Sequence, residues 1–163
     1  MTKERLILIT VWIIVIAAML LLLRRNNWRR FAAAHLMAQN LTWINGLIHC
    51  QLGVYAYPVR EFPKATDMGF TMQYLFYPTL CGFCILFEPN GGLAKKILYI
   101  LCLPTATVIF RMLLMRYTRL IVAADYHILQ DWVTLLILFL ISRAVTNWIF
   151  RDPAFLHAEE QSA

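Results

Sequence analysis

LILITVWIIVIAAMLLLL, residues 6–23, decides the structural class of this chain, because its eighteen residues carry no charge and only one hydroxyl group. At a rise of about 1.5 Å per residue, such a helix covers most of a bilayer's hydrocarbon core of about 30 Å. The arginine collar, residues 24–30 (RRNNWRR), follows directly. Cationic side chains beside a tryptophan suit a cytoplasmic headgroup surface. The sequence therefore predicts a membrane-spanning helix that ends at that surface.

The composition supports a membrane protein over a soluble domain. Of the 163 residues, 61% are hydrophobic and 15% are charged, against roughly a quarter charged in soluble domains. A small soluble domain leaves too much surface in water to hide so many apolar residues. The net charge of +6 comes from basic residues beside apolar runs and not from one basic stripe. We therefore expect lipid headgroups as partners and no nucleic acid.

The first apolar run is interpreted as a retained anchor and not as a cleaved signal peptide. Lys3 and Arg5 precede it, as they would precede a signal sequence. However, the run is longer than the usual 7 to 15 residues of a signal core, and arginines follow it where a small-residue cleavage site would be needed.

Four further apolar segments are separated by loops that contain proline, glycine or charged residues. Because lipid cannot hydrogen-bond to the backbone, each segment is expected to be helical. The predicted fold class is an all-α integral membrane bundle with five transmembrane helices. The helices are predicted near residues 6–23, 31–57, 69–87, 97–115 and 128–150. Residues 1–151 would form one transmembrane domain, and residues 152–163 a short polar tail.

The orientation follows from the distribution of basic residues. Placing the arginine collar, Lys95, Lys96 and Arg151 inside puts seven basic residues in the cytoplasm and six outside. The positive-inside rule then favours an outer N-terminus and an inner C-terminus, with the dense collar as the main evidence. The predicted location is a bacterial cytoplasmic membrane, crossed several times.

A polar stripe runs along the second predicted helix. At 3.6 residues per turn, His35, Gln39, Asn45 and His49 share one face, and Thr42, Gly46 and Gly53 fall on the same face. One interpretation is a packing seam, in which small residues and cross-helix hydrogen bonds join two helices. The alternative is a hydrated ligand or transport site. Two haems would need matching histidines at two depths on another helix, which this sequence lacks.

Cys81 and Cys84 have the CxxC spacing of thiol oxidoreductases and zinc sites. Cysteine also behaves as a small hydrophobic residue, so a pair of free thiols inside an apolar helix is the simpler interpretation. Zinc would need two more ligands, and only Cys102 is expected at a similar depth. We expect no bound metal, and a redox role remains an alternative.

Two arginines fall within predicted spans. An arginine at a helix centre costs about 2.5 to 3.5 kcal/mol on insertion scales, so Arg111 and Arg143 each require an explanation. Both lie within two turns of a span end and could extend towards water. By helical face, Asp125 or Asp131 is the predicted partner of Arg111. By the same reasoning, Glu88 is the predicted partner of Arg143.

Part of the chain resembles a known family. Thr66 and Asp67 precede residues 70–78 (FTMQYLFYP) and 95–100 (KKILYI). The pattern, over about residues 67–132, resembles small uncharacterised membrane proteins of spore-forming bacilli and clostridia. These proteins typically have an acidic residue in the fourth helix and a Tyr-x-x-Gly-Trp-like stretch before the last span. Here Arg111 or Met112 takes the acidic position, and Tyr126, His127 and a displaced Trp132 replace the stretch. The resemblance implies a membrane bundle and no particular activity.

No nucleotide-binding loop, catalytic triad, paired-carboxylate site or zinc-protease motif is present in the sequence. The predicted function is therefore non-enzymatic and without a cofactor. We expect contacts with the bilayer and its anionic headgroups, and with another membrane protein or a second copy of the chain. The alternatives are a thiol redox protein using Cys81 and Cys84, and a ligand-binding or transport bundle using His35, Gln39, Asn45 and His49.

Overall fold

The computed structural model describes residues 3–89, 91–123 and 127–151, and most of them are helical. The described part has five α-helices: α1 (Lys3–Leu22), α2 (Trp28–Gln51), α3 (Tyr77–Leu86), α4 (Leu93–Tyr117) and α5 (Ile128–Ile149). A π-helical segment, Thr71–Phe76, leads directly into α3. Two short strands, β1 (Tyr55–Ala56) and β2 (Val122–Ala123), pair antiparallel. The predicted tail, residues 152–163, lies outside the described residues.

The C-terminal end predicted for the second helix, residue 57, is wrong, because α2 stops at Gln51. Gly53 has φ +70, a conformation that glycine adopts without strain. Its N–H donates to the carbonyl of Cys50 (3.1 Å), and the N–H of Val54 donates to that of His49 (2.9 Å). These two bonds form a Schellman cap, which stops the helix. The chain then turns into β1.

The third predicted helix, residues 69–87, is not a uniform α-helix. Pro78 lacks an N–H, so it cannot complete the hydrogen-bond ladder that precedes it. The six residues up to Phe76 are π-helical. At the start of this segment the Glu61 carboxylate accepts hydrogen bonds from the N–H groups of Phe70 and Thr71, both at 3.1 Å. An acidic side chain at this end also interacts favourably with the helix dipole.

α2 lies at the centre of the bundle and packs against α3, α5 and the π-helical segment. α4 packs against α5 and α3, whereas α1 contacts the π-helical segment from outside. The indole N–H of Trp12 on α1 donates to the hydroxyl of Thr71 (2.8 Å). Small buried residues, Ala34 and Ala38 on α2 and Ser142 and Thr146 on α5, permit close helix approach.

The bundle has two chemically distinct ends. The hairpin end holds β1, β2, the last turn of α4 and the first turn of α5. The collar end holds the first turn of α2 and the last turns of α3 and α5, because Arg30 contacts Asn147 and Glu88 contacts Arg143. Between the two ends, the exposed surface carries many large apolar side chains.

Among the described residues, α1, α4 and α5 are long and apolar enough to cross a membrane. α2 has 24 residues, but its polar stripe lowers its mean hydropathy. α3 has only 10 residues after the π-helical segment. These three helices support the prediction of a helical membrane protein, whereas the prediction of five spans is not confirmed.

Candidate functional site

The most unusual feature is a buried ion pair near the hairpin end. The Arg111 guanidinium on α4 pairs with the Asp131 carboxylate on α5. Their side chains are only 2% and 3% exposed. Tyr55 and Tyr77 flank the guanidinium, whose carbon lies 5.4 Å and 5.1 Å from the two ring centroids. Both distances fall within the range of cation–π contacts.

Of the two partners predicted for Arg111, Asp131 is confirmed, and Asp125 lies outside the described residues. The expectation that Arg111 extends towards water is wrong, because its side chain is buried. Its Nε and Nη1 donate to the phenol oxygens of Tyr77 and Tyr55, each at 3.4 Å. A carboxylate and two aromatic rings therefore replace water around this charge.

The polar interior continues from the ion pair towards α2. The Gln73 side-chain amide donates to the Tyr57 phenol oxygen (3.0 Å). The Thr42 hydroxyl donates to the Gln73 backbone carbonyl (2.8 Å). In the π-helical register, that carbonyl would accept from residue 78, which is a proline without an N–H. Thr42 thus supplies the hydrogen bond that Pro78 cannot.

The tyrosines of this network belong to no recognised sequence motif. Tyr55 and Tyr57 alternate with Ala56, and alternation places both side chains on one face of an extended segment. This alternation indicates an extended segment, whereas the hydropathy of residues 31–57 predicts a helix there. Burial raises the pKa of Tyr55 to about 12 and also raises the pKa of Tyr57. Both phenols therefore stay protonated near neutral pH.

The polar stripe faces the interior, as predicted. Gln39, Thr42, Gly46 and His49 are buried, and His35 and Asn45 are partly buried. The His49 ring stacks on Tyr55 at a centroid distance of 5.5 Å. Gly53 does not belong to the stripe, because it follows the helix and is exposed.

The stripe residues have separate contacts and do not form one site. A His35 ring nitrogen lies 3.4 Å from the Thr79 hydroxyl. A His49 ring nitrogen bonds to the carbonyl of Asn45 on the same helix (2.8 Å). Of the stripe residues, Thr42 makes a hydrogen bond to a backbone carbonyl of another element, that of Gln73. The stripe residues therefore pack against neighbouring helices, and their role in binding a ligand stays a prediction.

A small cavity lies beside the stripe in the bundle interior. It has a volume of about 30 Å³ and is lined by residues that include Ala38, Thr42, Cys81, Thr107 and Ser142. One water needs about 10 to 15 Å³ by this measure, so the cavity suits one or two waters. His35, Gln39, Asn45 and His49 are not part of its lining.

The CxxC cysteines are free thiols about one turn apart on α3. Cys81 is buried among apolar residues that include Ala38 on α2, Leu103 on α4 and Phe139 on α5, and Cys84 is partly buried beside them. Within the described ranges, no three His, Cys, Asp or Glu side chains are grouped so that they could hold a metal ion. The Cys81 side chain thus packs between helices as a small apolar residue, and a redox role stays a prediction.

Arg143, the second arginine within a predicted span, pairs with its predicted partner at the collar end. Arg143 Nε and Nη2 donate to the two Glu88 carboxylate oxygens at 2.8 Å and 2.5 Å. Arg143 is 27% exposed and Glu88 12%. The hydrogen bond from Arg143, followed by the positive charges of Arg143, Lys96 and Arg30, lowers the pKa of Glu88. Glu88 is therefore ionised near neutral pH.

No protein-family model, curated protein or solved structure matches this chain. The functional conclusions consequently rest on the contacts made by its own residues.

Proposed function

We propose that this chain is a five-span protein of the bacterial cytoplasmic membrane that acts without catalysis, through contacts with lipid and with a membrane partner. One observation supports it above all others. The two arginines inside the bundle, Arg111 and Arg143, are each paired with a carboxylate, whereas the outward surfaces of the helices carry mostly large apolar side chains. A surface of this kind is stable only where acyl chains or another apolar surface cover it.

The proposal adds α2 to the three apolar helices as a spanning element. Its 24 residues extend over about 36 Å at helical rise, which exceeds the hydrocarbon core. Leu36, Ile44, Leu47 and Ile48 are exposed on its outer surface. The polar residues of the stripe face the other helices and do not meet lipid. Asn40 is exposed, and its side-chain amide donates to the Leu36 carbonyl of the same helix (2.8 Å).

The π-helical segment and α3 together form the remaining proposed span. Residues 71–86 are continuously helical and pack against α2. Their length is about 24 Å at helical rise, somewhat below the hydrocarbon thickness. Bilayers adjust to such a mismatch at modest cost.

The proposed orientation puts the collar end in the cytoplasm and the hairpin end outside. The charge distribution of the collar supports this orientation through the positive-inside rule. The resemblance to membrane proteins of spore-forming bacteria supports a bacterial cell membrane as the location.

A packing role accounts for the interior charges. Removing two charges from water is costly, and the cost is offset only when each finds a partner. Arg111 and Asp131 satisfy each other, with two phenols completing the surroundings of the guanidinium. The cavity beside the polar stripe suits water and not a larger substrate, so a transport role has less support.

The experiment is single-cysteine labelling in a background without the four native cysteines. Cysteines are introduced at three exposed positions, Asn27, Lys64 and Arg119. A membrane-impermeant reagent is added to intact cells and, separately, to opened cells. Five spans place position 64 outside, whereas three spans place it in the cytoplasm.

We expect labelling in intact cells at positions 64 and 119, and labelling at position 27 only after the cells are opened. Protection of position 64 together with labelling of position 119 would contradict the five-span proposal. Labelling of position 27 in intact cells with protection of the other two would show the opposite orientation.

A further inference from the structure

We infer that the cleft at the collar end is a binding site for a phosphate group, either of an anionic lipid headgroup or of free phosphate. The inference rests on the proposed function in one respect, since that proposal places the collar end at a headgroup surface. The site itself is defined by side chains from three helices and one loop.

The cleft lies where α2 and α4 begin and where α3 and α5 end. Its volume is about 290 Å³, far above the 10 to 15 Å³ or so that a single water requires. The polar side chains that line it are Arg30, Glu88, Lys96, Arg143 and Asn147. Mostly polar atoms line it, in contrast to the apolar surface between the two ends.

The charge in the cleft favours an anion. Its lining contains three cations, Arg30, Lys96 and Arg143, and one carboxylate, Glu88. Arg143 and Glu88 neutralise each other in a two-pronged ion pair. Arg30 and Lys96 therefore leave a net charge of +2, which matches a phosphate in charge and in its demand for N–H donors.

Arg30 has unused hydrogen-bonding capacity in this cleft. Its Nη2 donates to the Asn147 side-chain oxygen (2.9 Å), which holds the guanidinium in place. Its Nε is shielded from solvent and has no acceptor among the described residues. A buried N–H without an acceptor costs free energy. Because Nε itself is inaccessible, a phosphate oxygen in the cleft would accept from those guanidinium atoms of Arg30 that line it.

The surroundings of the cleft suit the headgroup layer. Arg30 and Lys96 belong to the first turns of α2 and α4, where helix dipoles add positive potential. Trp28 lies two residues before Arg30 and is 51% exposed. Tryptophan at such a position anchors a helix at the membrane interface. A lipid phosphate is therefore at the right depth to enter.

The test uses the full chain in phosphatidylcholine nanodiscs. One arm adds phosphatidylglycerol to the nanodisc lipid in steps, and the other adds inorganic phosphate to the buffer. Binding is followed by thermal shift and by native mass spectrometry. Arg30→Gln and Lys96→Gln remove cleft cations. Their controls, Arg29→Gln and Lys95→Gln, remove neighbouring cations that do not line the cleft.

We expect saturable binding in at least one arm. Each cleft variant should weaken binding about tenfold, and each control should change it less than about twofold, because the lost N–H donor contacts the ligand only in the cleft variants. Among the described residues Lys96 makes no direct salt bridge and acts on Glu88 only through its charge, so Lys96→Gln tests the site even where Arg30→Gln lowers stability. Binding of phosphatidylglycerol would identify a lipid headgroup as the ligand, and binding of inorganic phosphate alone would identify a soluble one.

Absence of binding in both arms would overturn the inference. Equal weakening by all four variants would also overturn it, because diffuse surface charge would then explain the binding. These results leave the five-span proposal intact where position 64 is labelled from outside. Protection of position 64, by contrast, would contradict the five-span proposal whether or not the cleft binds phosphate.

Discussion

Arg111 and Asp131 join α4 to α5 through an ion pair that is almost fully buried. The two residues are twenty positions apart and belong to successive helices, so their pairing fixes the rotation of each helix about its axis. Tyr55, from the segment after α2, and Tyr77, from the start of α3, close over the guanidinium. One interaction thus links four parts of the chain at the hairpin end.

This relationship predicts a strong asymmetry between single and double substitutions. Asp131→Asn leaves a buried, uncompensated guanidinium and should lower the free energy of unfolding by about 3 to 5 kcal/mol. Replacing both charges, by Arg111→Met with Asp131→Leu, should cost clearly less. Denaturant unfolding in detergent measures both, with the exposed Arg116→Met as a control near zero. If the Asp131→Asn protein is as stable as the wild type, the Arg111–Asp131 ion pair does not stabilise the fold.

Thr42→Val should destabilise the contact between α2 and the π-helical segment. The substitution removes the hydroxyl that donates to the Gln73 carbonyl, and Pro78 cannot replace it. The expected loss is about 0.6 kcal/mol, with about 1.7 kcal/mol as an upper value for such bonds. Thr10→Val is the matched control, since Thr10 is exposed and bonds only within its own helix. Equal stability of the two variants in thermal unfolding would contradict this account.

The Glu88–Arg143 pair predicts a dependence of stability on pH. Because the folded-state pKa of Glu88 lies below its ordinary value of 4.5, ionised Glu88 stabilises the folded state above that pH. The stabilisation is lost as the pH falls through the folded-state pKa. The melting temperature of the wild type should exceed that of Glu88→Gln at neutral pH, and the difference should close in acid. A constant difference across this range would rule out the ion pair as its cause.

The cysteines are expected to be reduced in protein taken directly from cells. Burial of Cys81 in an apolar interior disfavours the thiolate, which is the reactive form. Alkylation under denaturing conditions followed by mass measurement should show four modified thiols. In the native bilayer, the exposed Cys102 should react with a membrane-permeant maleimide before Cys81. An oxidised pair of Cys81 and Cys84 would instead support the thiol redox alternative.

Several features follow from the sequence because they depend on local properties. The helix of α1 follows from an uninterrupted apolar run. The inward face of α2 follows from polar residues that recur at the helical period. The pairing of Arg143 with Glu88 follows from the high cost of an unpaired charge in lipid, together with helical facing. The same reasoning left Asp125 and Asp131 as possible partners of Arg111, and the structure selects Asp131.

Other features escaped prediction because they depend on a single residue in its backbone context. The helical period places Gly53 on the polar stripe, but its positive φ ends α2. The apolar run of residues 69–87 predicts a regular helix through Pro78, yet residues 71–76 are π-helical. Neither conformation changes the hydropathy or the period of the sequence, so pattern analysis extends the helix through both positions.

By itself the sequence determined which segments form helices apolar enough to cross a membrane and which face of α2 turns inward. Only the tertiary structure decided what those faces meet. The tyrosines around Arg111 come from positions 34 and 56 residues away, and Arg30 meets Asn147 across 117 residues. Hydrophobicity and helical period act over a few turns of one helix, whereas these contacts depend on how separate helices pack.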